Sequence, residues 1–406
     1  MLLVVFEKQI MKKMILVVEL LLISLFSASC QKPKRIELIK RPLQYDRPLP
    51  PGQLALRKIT NPADIPDFTF ACYDLTNLRS AIANSLNYLK KPSSKQFYPY
   101  GDIPHEKAVQ SLKAFDELLE SKLIGDKLNE AIRQKFDVYI SVGCDDRGTV
   151  LFTGYYTPIF DGSITRTEKF RYPLYKQPAD LIKGPKGEIL GRRTRDGVEP
   201  YPSRKVLENS DSLTGTELVW LGDPFEVYIA HVQGSAKIRL SNGKLMGVGY
   251  TASNGHEYKS VSKAMVEQGK ISGQQMSLTA MIEYFKQHPD QVASYTQANP
   301  RFVFFMEEKG EPRGSLNEEV TPYRSIATDK TIFPPACLTF FSTKLPYETN
   351  GTISERPYTG FALDQDTGGA IRAAGRCDIY MGQGDKAGSL AGRTYQEGRL
   401  YYLFLK

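Results

Sequence analysis

The chain has 406 residues, with 41% apolar and 24% charged side chains and a formal net charge of +8. That balance excludes an intrinsically disordered chain and fits two or three folded domains. The charge would suit a polyanionic partner, carboxylate-bearing cell-wall peptides as well as nucleic acid, but no dense Lys/Arg stripe interleaved with aromatics accompanies it, so nucleic acid is not expected and a solvated basic surface is the default reading.

Residues 15–26 (ILVVELLLISLF) form an apolar run behind Met11-Lys12-Lys13-Met14. It has the charged and apolar parts of an export signal, and it is too short for a comfortable membrane span. The run ends in Ser27-Ala28-Ser29-Cys30. This resembles a bacterial lipoprotein cleavage site, with Cys30 as the lipidated first residue of the mature chain; an ordinary signal peptide is the alternative. Gln31 follows, and the lack of an acidic retention residue favours, by the same resemblance, the periplasmic face of the outer membrane. Residues 31–67 hold seven prolines among many charges, the composition of an extended tether.

Helical spacing follows. Leu75, Leu78, Ile82, Leu86 and Leu89 make one apolar stripe; Ala108, Leu112, Phe115, Leu118 and Leu119 make a second behind Pro104; Leu128, Ile132 and Phe136 make a third. Strands are expected over 138–142 and 150–156, and over 236–240 and 245–251 around an Asn242-Gly243 turn. Further helices are expected near 260–268 and 276–287. The last hundred residues read as short strands at 302–305, 338–341, 360–363, 377–380 and 400–405, separated by Gly/Pro turns. With 32 glycines and 25 prolines, a β-rich protein is expected.

Three aspartates near the C-terminal end carry the chemistry best. Asp378 lies between Cys377 and Ile379; if those two enter the core, Asp378 faces the other side. A carboxyl in a partly apolar cleft beside other carboxylates holds its proton more tightly, as a general acid requires. Asp366 opens Thr367-Gly368-Gly369, and in a regular strand it would share a face with Asp364. Asp329 ends Arg324-Ser325-Ile326-Ala327-Thr328-Asp329, where Arg324 is a candidate ion-pair partner for it. The histidines show no metal-ligand spacing, no GxSxG is present, and Gly382-Gln383-Gly384 lacks the third glycine and a legible following helix, so no metal or cofactor is expected. Cys72, Cys144, Cys337 and Cys377 are open to either disulfide pairing or free buried thiols.

Six ordered motifs then take on a family likeness. Gly154-Tyr155-Tyr156-Thr157-Pro158, His231-Val232-Gln233-Gly234-Ser235, Asn299-Pro300-Arg301-Phe302, Val320-Thr321-Pro322-Tyr323-Arg324, Asp366-Thr367-Gly368-Gly369-Ala370-Ile371 and Cys377-Asp378-Ile379-Tyr380 resemble the successive motifs of the membrane-bound lytic murein transglycosylase A family, with its three-aspartate module at the end. The resemblance covers roughly residues 150–406. It implies a mainly β protein with N-terminal helices. A double-psi β-barrel would be built from 68–158 and 300–406, and a smaller β-rich domain, 159–299, would be inserted in it, with glycan in the groove between them. It implies peptidoglycan strands as substrate, Asp378 as acid and base, and Asp366 and Asp329 as its companions. Tyr155, Tyr156, Thr157, Gln233, Ser235 and Arg324 would contact sugar or support the site, and other cell-wall enzymes are candidate partners. A two-carboxylate glycan hydrolase and a non-catalytic, expansin-like wall-binding protein are the competing readings.

Overall fold

A computed structural model describes residues 43–406 apart from 186 and 272–277. The export signal, Cys30 and residues 31–42 of the expected tether lie outside the described residues.

The described chain opens with β1 (Leu56–Lys58) and helices α1 (Leu78–Leu89), α2 (His105–Glu120) and α3 (Gly125–Lys135). β2 (Phe136–Ser141), β3 (Val150–Thr157), β4 (Ile159–Ser163), β5 (Tyr172–Tyr175), β6 (Leu181–Lys183), β7 (Ile189–Thr194) and β8 (Gly197–Glu199) follow. Then come α4 (Arg204–Glu208), β9 (Glu217–Leu221), α5 (Pro224–Gln233), β10 (Ser235–Leu240), β11 (Leu245–Ser253), α6 (Val261–Glu267), α7 (Leu278–Gln287), α8 (Val292–Thr296) and β12 (Val303–Glu308). The last stretch holds β13 (Ser325–Ala327), β14 (Leu338–Thr349), β15 (Thr352–Asp366), β16 (Arg376–Gln383), α9 (Gly384–Ala391) and β17 (Tyr395–Leu405).

The largest sheet runs β1-β2-β17-β14-β15-β13-β16-β3, and β17 also pairs with β3. That extra pairing closes a ring of six strands, so the ring has no free edge. Period-two alternation fills it. On β14, Phe341 and Leu345 point into the ring with Phe152, Ile326, Ile379 and Tyr402, while Leu338 and Phe340 point out against the helices. The helical stripes cover that outer face: Leu78, Ile82, Leu112, Phe115, Leu128 and Ile132 are buried against Phe68, Phe340 and Phe361. Burying one such side chain is worth about 1.5–3 kcal/mol, so this face is a second core and not a veneer.

The tether expectation needs correction. From Tyr45 on, the chain is strapped to the body: Tyr45 Oη donates to Glu397 Oε1 at 2.6 Å, Arg47 pairs with Asp146 at 2.8 Å, and β1 runs antiparallel to β2. Prolines there shape an edge strap, a position where the missing N–H does no harm.

A six-stranded sheet, β12-β11-β10-β4-β9-β5, forms a second body with its own core around Phe225, Ile229, Ile238, Val248 and Phe305. Its strands run to Glu308, so the Phe302–Phe305 run belongs here and the expected boundary at 299 moves C-terminal. A small sheet, β6-β7-β8, lies beside it in sequence. Pro158 alone separates β3 of the ring from β4 of the second sheet, and its carbonyl accepts from the Lys237 N–H at 2.8 Å. Four cysteines, Cys72, Cys144, Cys337 and Cys377, are buried free thiols. Among the described residues no helix is long and apolar enough to cross a membrane.

Candidate active site

One row of residues crosses four strands of the ring. Ala327 on β13 pairs with Asp366 on β15 and with Asp378 on β16, and Asp378 in turn pairs with Thr153 on β3. At the usual strand spacing the two carboxylate-bearing backbones are roughly 10 Å apart, one residue between them. Cys377 and Ile379 are fully buried in the ring and Asp378 points to the opposite, groove side, as the alternation requires.

The groove is about 820 Å³ and is lined from both bodies. The ring contributes Asp366, Asp378, Tyr155 and Tyr380; the second body contributes Gln233, Ser235, Tyr250 and Arg301. Asp378 is half-buried on its wall. Its Oδ1 accepts a short hydrogen bond from the Thr153 hydroxyl and lies 3.4 Å from Arg376 Nη2, which also reaches Thr153 Oγ1 at 3.2 Å. The groups that touch Asp378 are thus donors, where the sequence suggested a crowd of carboxylates.

Asp366 is held differently. Its Oδ1 accepts from the backbone N–H of Ser315 and of Thr367, each at 2.8 Å, tying two loops together. Burial pushes this carboxyl above its ordinary value; the two amides and the nearby Tyr155 phenol oppose the shift. The Tyr155 hydroxyl is itself buried and lies beside Asp366 without completing a well-formed hydrogen bond.

Asp364 does not join Asp366. Between Ile326 and Ala327 on β13, β15 advances by two residues, so Gln365 is the extra residue of a bulge. Asp364 is turned into the ring, fully buried, where Lys330 pairs with it and Thr328 and Tyr402 donate to its Oδ2 at 2.8 and 2.7 Å. Asp329 is also a framework group: its Oδ1 accepts from Thr331 and its Oδ2 from the Ala373 N–H at 3.0 Å, holding Ala373 at φ 65°. It is not among the groove-lining residues.

Arg324 does not pair with Asp329. It is 2% exposed, bonds the carbonyls of Thr76, Asp74 and Phe361, and pairs with the Asp74 carboxylate at 2.8 Å, so it fastens the helical face and offers nothing to the groove. Tyr156 turns inward, and Thr157, on the groove-side face of β3, is covered by groove residues. Tyr156 packs in the ring core, and its N–H donates to Gln233 Oε1 at 3.0 Å. Thr157 is 1% exposed and bonds Ser235 and Tyr380. Tyr155, Gln233 and Ser235 do line the groove.

Gln233 and Ser235 are not a free loop. Asp223 caps α5 by accepting the Phe225 N–H at 2.7 Å, and Gly234 ends the helix at φ 78°. His231 lies inside this helix; burial, then the Arg204 charge, hold its imidazole well below its ordinary value, so the ring is neutral. A helix, α9, also follows Gly382-Gln383-Gly384, contrary to the sequence reading, though the third glycine remains absent. Among the described residues no cluster of His, Cys, Asp or Glu has metal-holding geometry. Sequence reasoning missed Thr153 and Arg376. Arg376 was legible two positions before Asp378 on one strand face; Thr153 needed the β3–β16 register.

Fold and site define a class, closed β-barrel proteins that set a carboxylate-bearing wall against a second β body. Residues 151–306 match the model described as the MltA specific insert domain, and residues 324–404 match the 3D domain. Membrane-bound lytic murein transglycosylase A of Escherichia coli K12 is 30% identical over 270 residues, covering 66% of this chain and 69% of that protein. The protein of that name from Vibrio cholerae is 28% identical over 267 residues, covering 65% and 68%. A solved structure of E. coli MltA with bound chitohexaose superposes with a TM-score of 0.64 at 26% identity, covering 89% of this chain and 96% of that one. A membrane-bound lytic murein transglycosylase from Agrobacterium tumefaciens shares the fold with a TM-score of 0.71 at 24% identity, covering 86% and 98%. The chain belongs to the membrane-bound lytic murein transglycosylase A family.

Proposed function

We propose that this chain cleaves the β-1,4 bond between N-acetylmuramic acid and N-acetylglucosamine in peptidoglycan without water, leaving 1,6-anhydromuramoyl ends. Asp378 serves first as acid and then as base. The observation that carries this reading is the half-buried Asp378 carboxyl on the wall of a groove of about 820 Å³, held through one oxygen by Thr153 and Arg376. Its other oxygen is left to face a sugar. The protonated carboxyl gives its proton to the glycosidic oxygen as the C1–O bond breaks. The carboxylate then takes the proton of the muramoyl C6 hydroxyl as that oxygen bonds to C1. A nucleophile already in the substrate has a high effective molarity, so one carboxyl does the work that two share in most glycosidases.

Asp366 and Asp329 are positioning residues in this scheme. Asp366 joins the Ser315 and Thr367 loops on the groove wall, and Asp329 fixes the turn at Ala373 that leads into β16. Tyr155, Gln233 and Ser235 would contact sugar; chitohexaose bound to the E. coli relative supports a glycan strand in the groove. The six-stranded ring is read as a double-psi barrel, and the segment from Ile159 to about Glu308 as a domain inserted after β3. Cys30 would carry the lipid anchor at the periplasmic face of the outer membrane; replacing it should release the protein from membranes.

Digestion of purified sacculi, with products read by mass spectrometry, tests the chemistry. Wild-type protein should give anhydromuramoyl ends, and Asp378→Asn, which can still accept the Thr153 hydroxyl, should give none while keeping its circular dichroism. Reducing ends would point to a hydrolase. Glu308, a groove carboxyl raised mainly by burial, would then be its second carboxylate, and Glu308→Gln would abolish them.

A further inference from the structure

Two cations face each other across the groove, Arg301 from the second body and Arg372 from the ring loop that follows Asp366, and among the described residues neither has an ion-pair partner. Arg301 has a fixed backbone: its N–H donates to the buried Asn299 Oδ1 at 3.2 Å, and its carbonyl accepts from Nε and Nη2 of the buried Arg204 at 3.1 and 2.9 Å. Its guanidinium lies over the loop that follows Asp366. A Cβ added to Gly369 would sit 3.0 Å from Arg301 Nε, so glycine there permits the approach. The guanidinium donates to the His256 carbonyl at 3.2 Å and also meets the Tyr250 hydroxyl, neither of which is a carboxylate.

Burial weakens the charged form of Arg301, and Arg372, a like charge on the same loop, weakens it further; Tyr250 opposes them. Arg372 is exposed and lines the same groove. Among the described residues neither arginine has an acid within ion-pair distance. Three of the four groove carboxylates are held elsewhere, Asp378 by Thr153 and Arg376, Asp366 by two amides, and Glu308 by the Arg313 N–H at 3.4 Å; the fourth, the exposed Glu307, makes no ion pair with either arginine. Two adjacent, unpaired guanidinium groups, one of them desolvated, are a fork prepared for a planar anion.

We propose that Arg301 and Arg372 form a carboxylate-reading subsite for the 3-O-lactyl arm of the muramoyl unit. It rests on the groove being a glycan site, as proposed above. That arm is what distinguishes N-acetylmuramic acid from N-acetylglucosamine. It ends in a carboxylate on peptide-free strands and continues into a peptide bearing carboxylates on intact ones. The subsite therefore selects acidic wall glycan over a neutral glucosamine polymer of the same backbone, which offers the arginines no anion.

The test uses the full chain carrying Asp378→Asn, so that binding is read without turnover. Three probes are titrated: amidase-treated, peptide-free glycan strands; soluble strands that keep their stem peptides; and chitohexaose. Arg301→Gln, Arg372→Gln and the double variant should each raise the Kd of one or both strand probes, by about tenfold in the double variant, and leave chitohexaose unchanged. A loss confined to peptide-free strands assigns the lactyl carboxylate, and one confined to peptide-bearing strands assigns a stem-peptide carboxylate. Equal losses on all three probes, or no loss on either strand, overturn the proposal. So does failure of both strands to bind the Asp378→Asn parent. Arg372 is exposed, so its variant keeps the test sound even where Arg301→Gln fails to fold. Anhydromuramoyl ends from the wild type without selective binding sink this inference alone. Selective binding without such ends sinks the proposed reaction and leaves the subsite standing.

Discussion

The two walls of the groove are built on opposite principles. On the ring wall every carboxylate has named donors: Thr153 and Arg376 for Asp378, two backbone amides for Asp366, and Lys330 with Thr328 and Tyr402 for the inward Asp364. On the facing wall Arg301 is anchored through its backbone, and its charge is left unmatched. Under the proposed mechanism and subsite the contrast separates two tasks. A group that must give and take one proton needs a fixed geometry, so its neighbours are complete. A group that must recognise an arriving charge needs an open valence and a rigid base.

Substitutions on the ring wall should break this contrast most strongly. Asp378→Asn should lower the rate of anhydromuramoyl formation by about 10²–10⁴, the usual worth of a positioned acid–base group, with an unchanged Tm. Asp364→Ala should leave Lys330 as an uncompensated charge in the ring, at a cost of about 3–5 kcal/mol, seen as a large drop in the denaturation midpoint. The Arg301/Arg372 pair should act only on affinity, about tenfold and only for carboxylate-bearing strands.

Asp366 gives a subtler, signed effect. Its carboxyl is raised by burial, so the folded state holds that proton more tightly than the unfolded chain. The stabilisation is fully present below the unfolded carboxylate range and is lost as pH rises through the raised value. Asp366→Asn keeps an oxygen for the Ser315 and Thr367 amides, so its Tm should exceed wild type near pH 7, and the gap should close as pH falls below about 4. The smallest effect is expected at Gly234, where φ is 78°; Gly234→Ala should cost about 1 kcal/mol by calorimetry and disturb Gln233 and Ser235 only slightly.

Local signals carried the parts of this molecule that depend on local periodicity. The stripes at Leu78–Leu89 and Leu112–Leu118 are helices, and alternation about Cys377 put Asp378 on the outward face. What failed depends on partners far away in the chain. Arg324 meets Asp74, 250 residues earlier, and no spacing rule reaches that far. Asp364 and Asp366 part company because of a bulge at Gln365, set by pairing with β13. The β14–β15 hairpin is longer than its apolar ends suggest, since its outer half is polar and exposed around Glu355 and Arg356. Its turn was nonetheless written in the chain: Asn350-Gly351, at φ 51° and 75°, is the dipeptide that such a turn demands.

The closure of the ring has a consequence for biogenesis. β3 finds its two neighbours only in β16 and β17, more than two hundred residues downstream, and β17 also completes β2 and β14. A chain made N-terminus first thus exposes β3 long before its hydrogen bonds can be made. The row from Asp366 to Thr153 comes into being only when β16 pairs with β13 and β3. The candidate site is therefore among the last parts of the molecule to assemble.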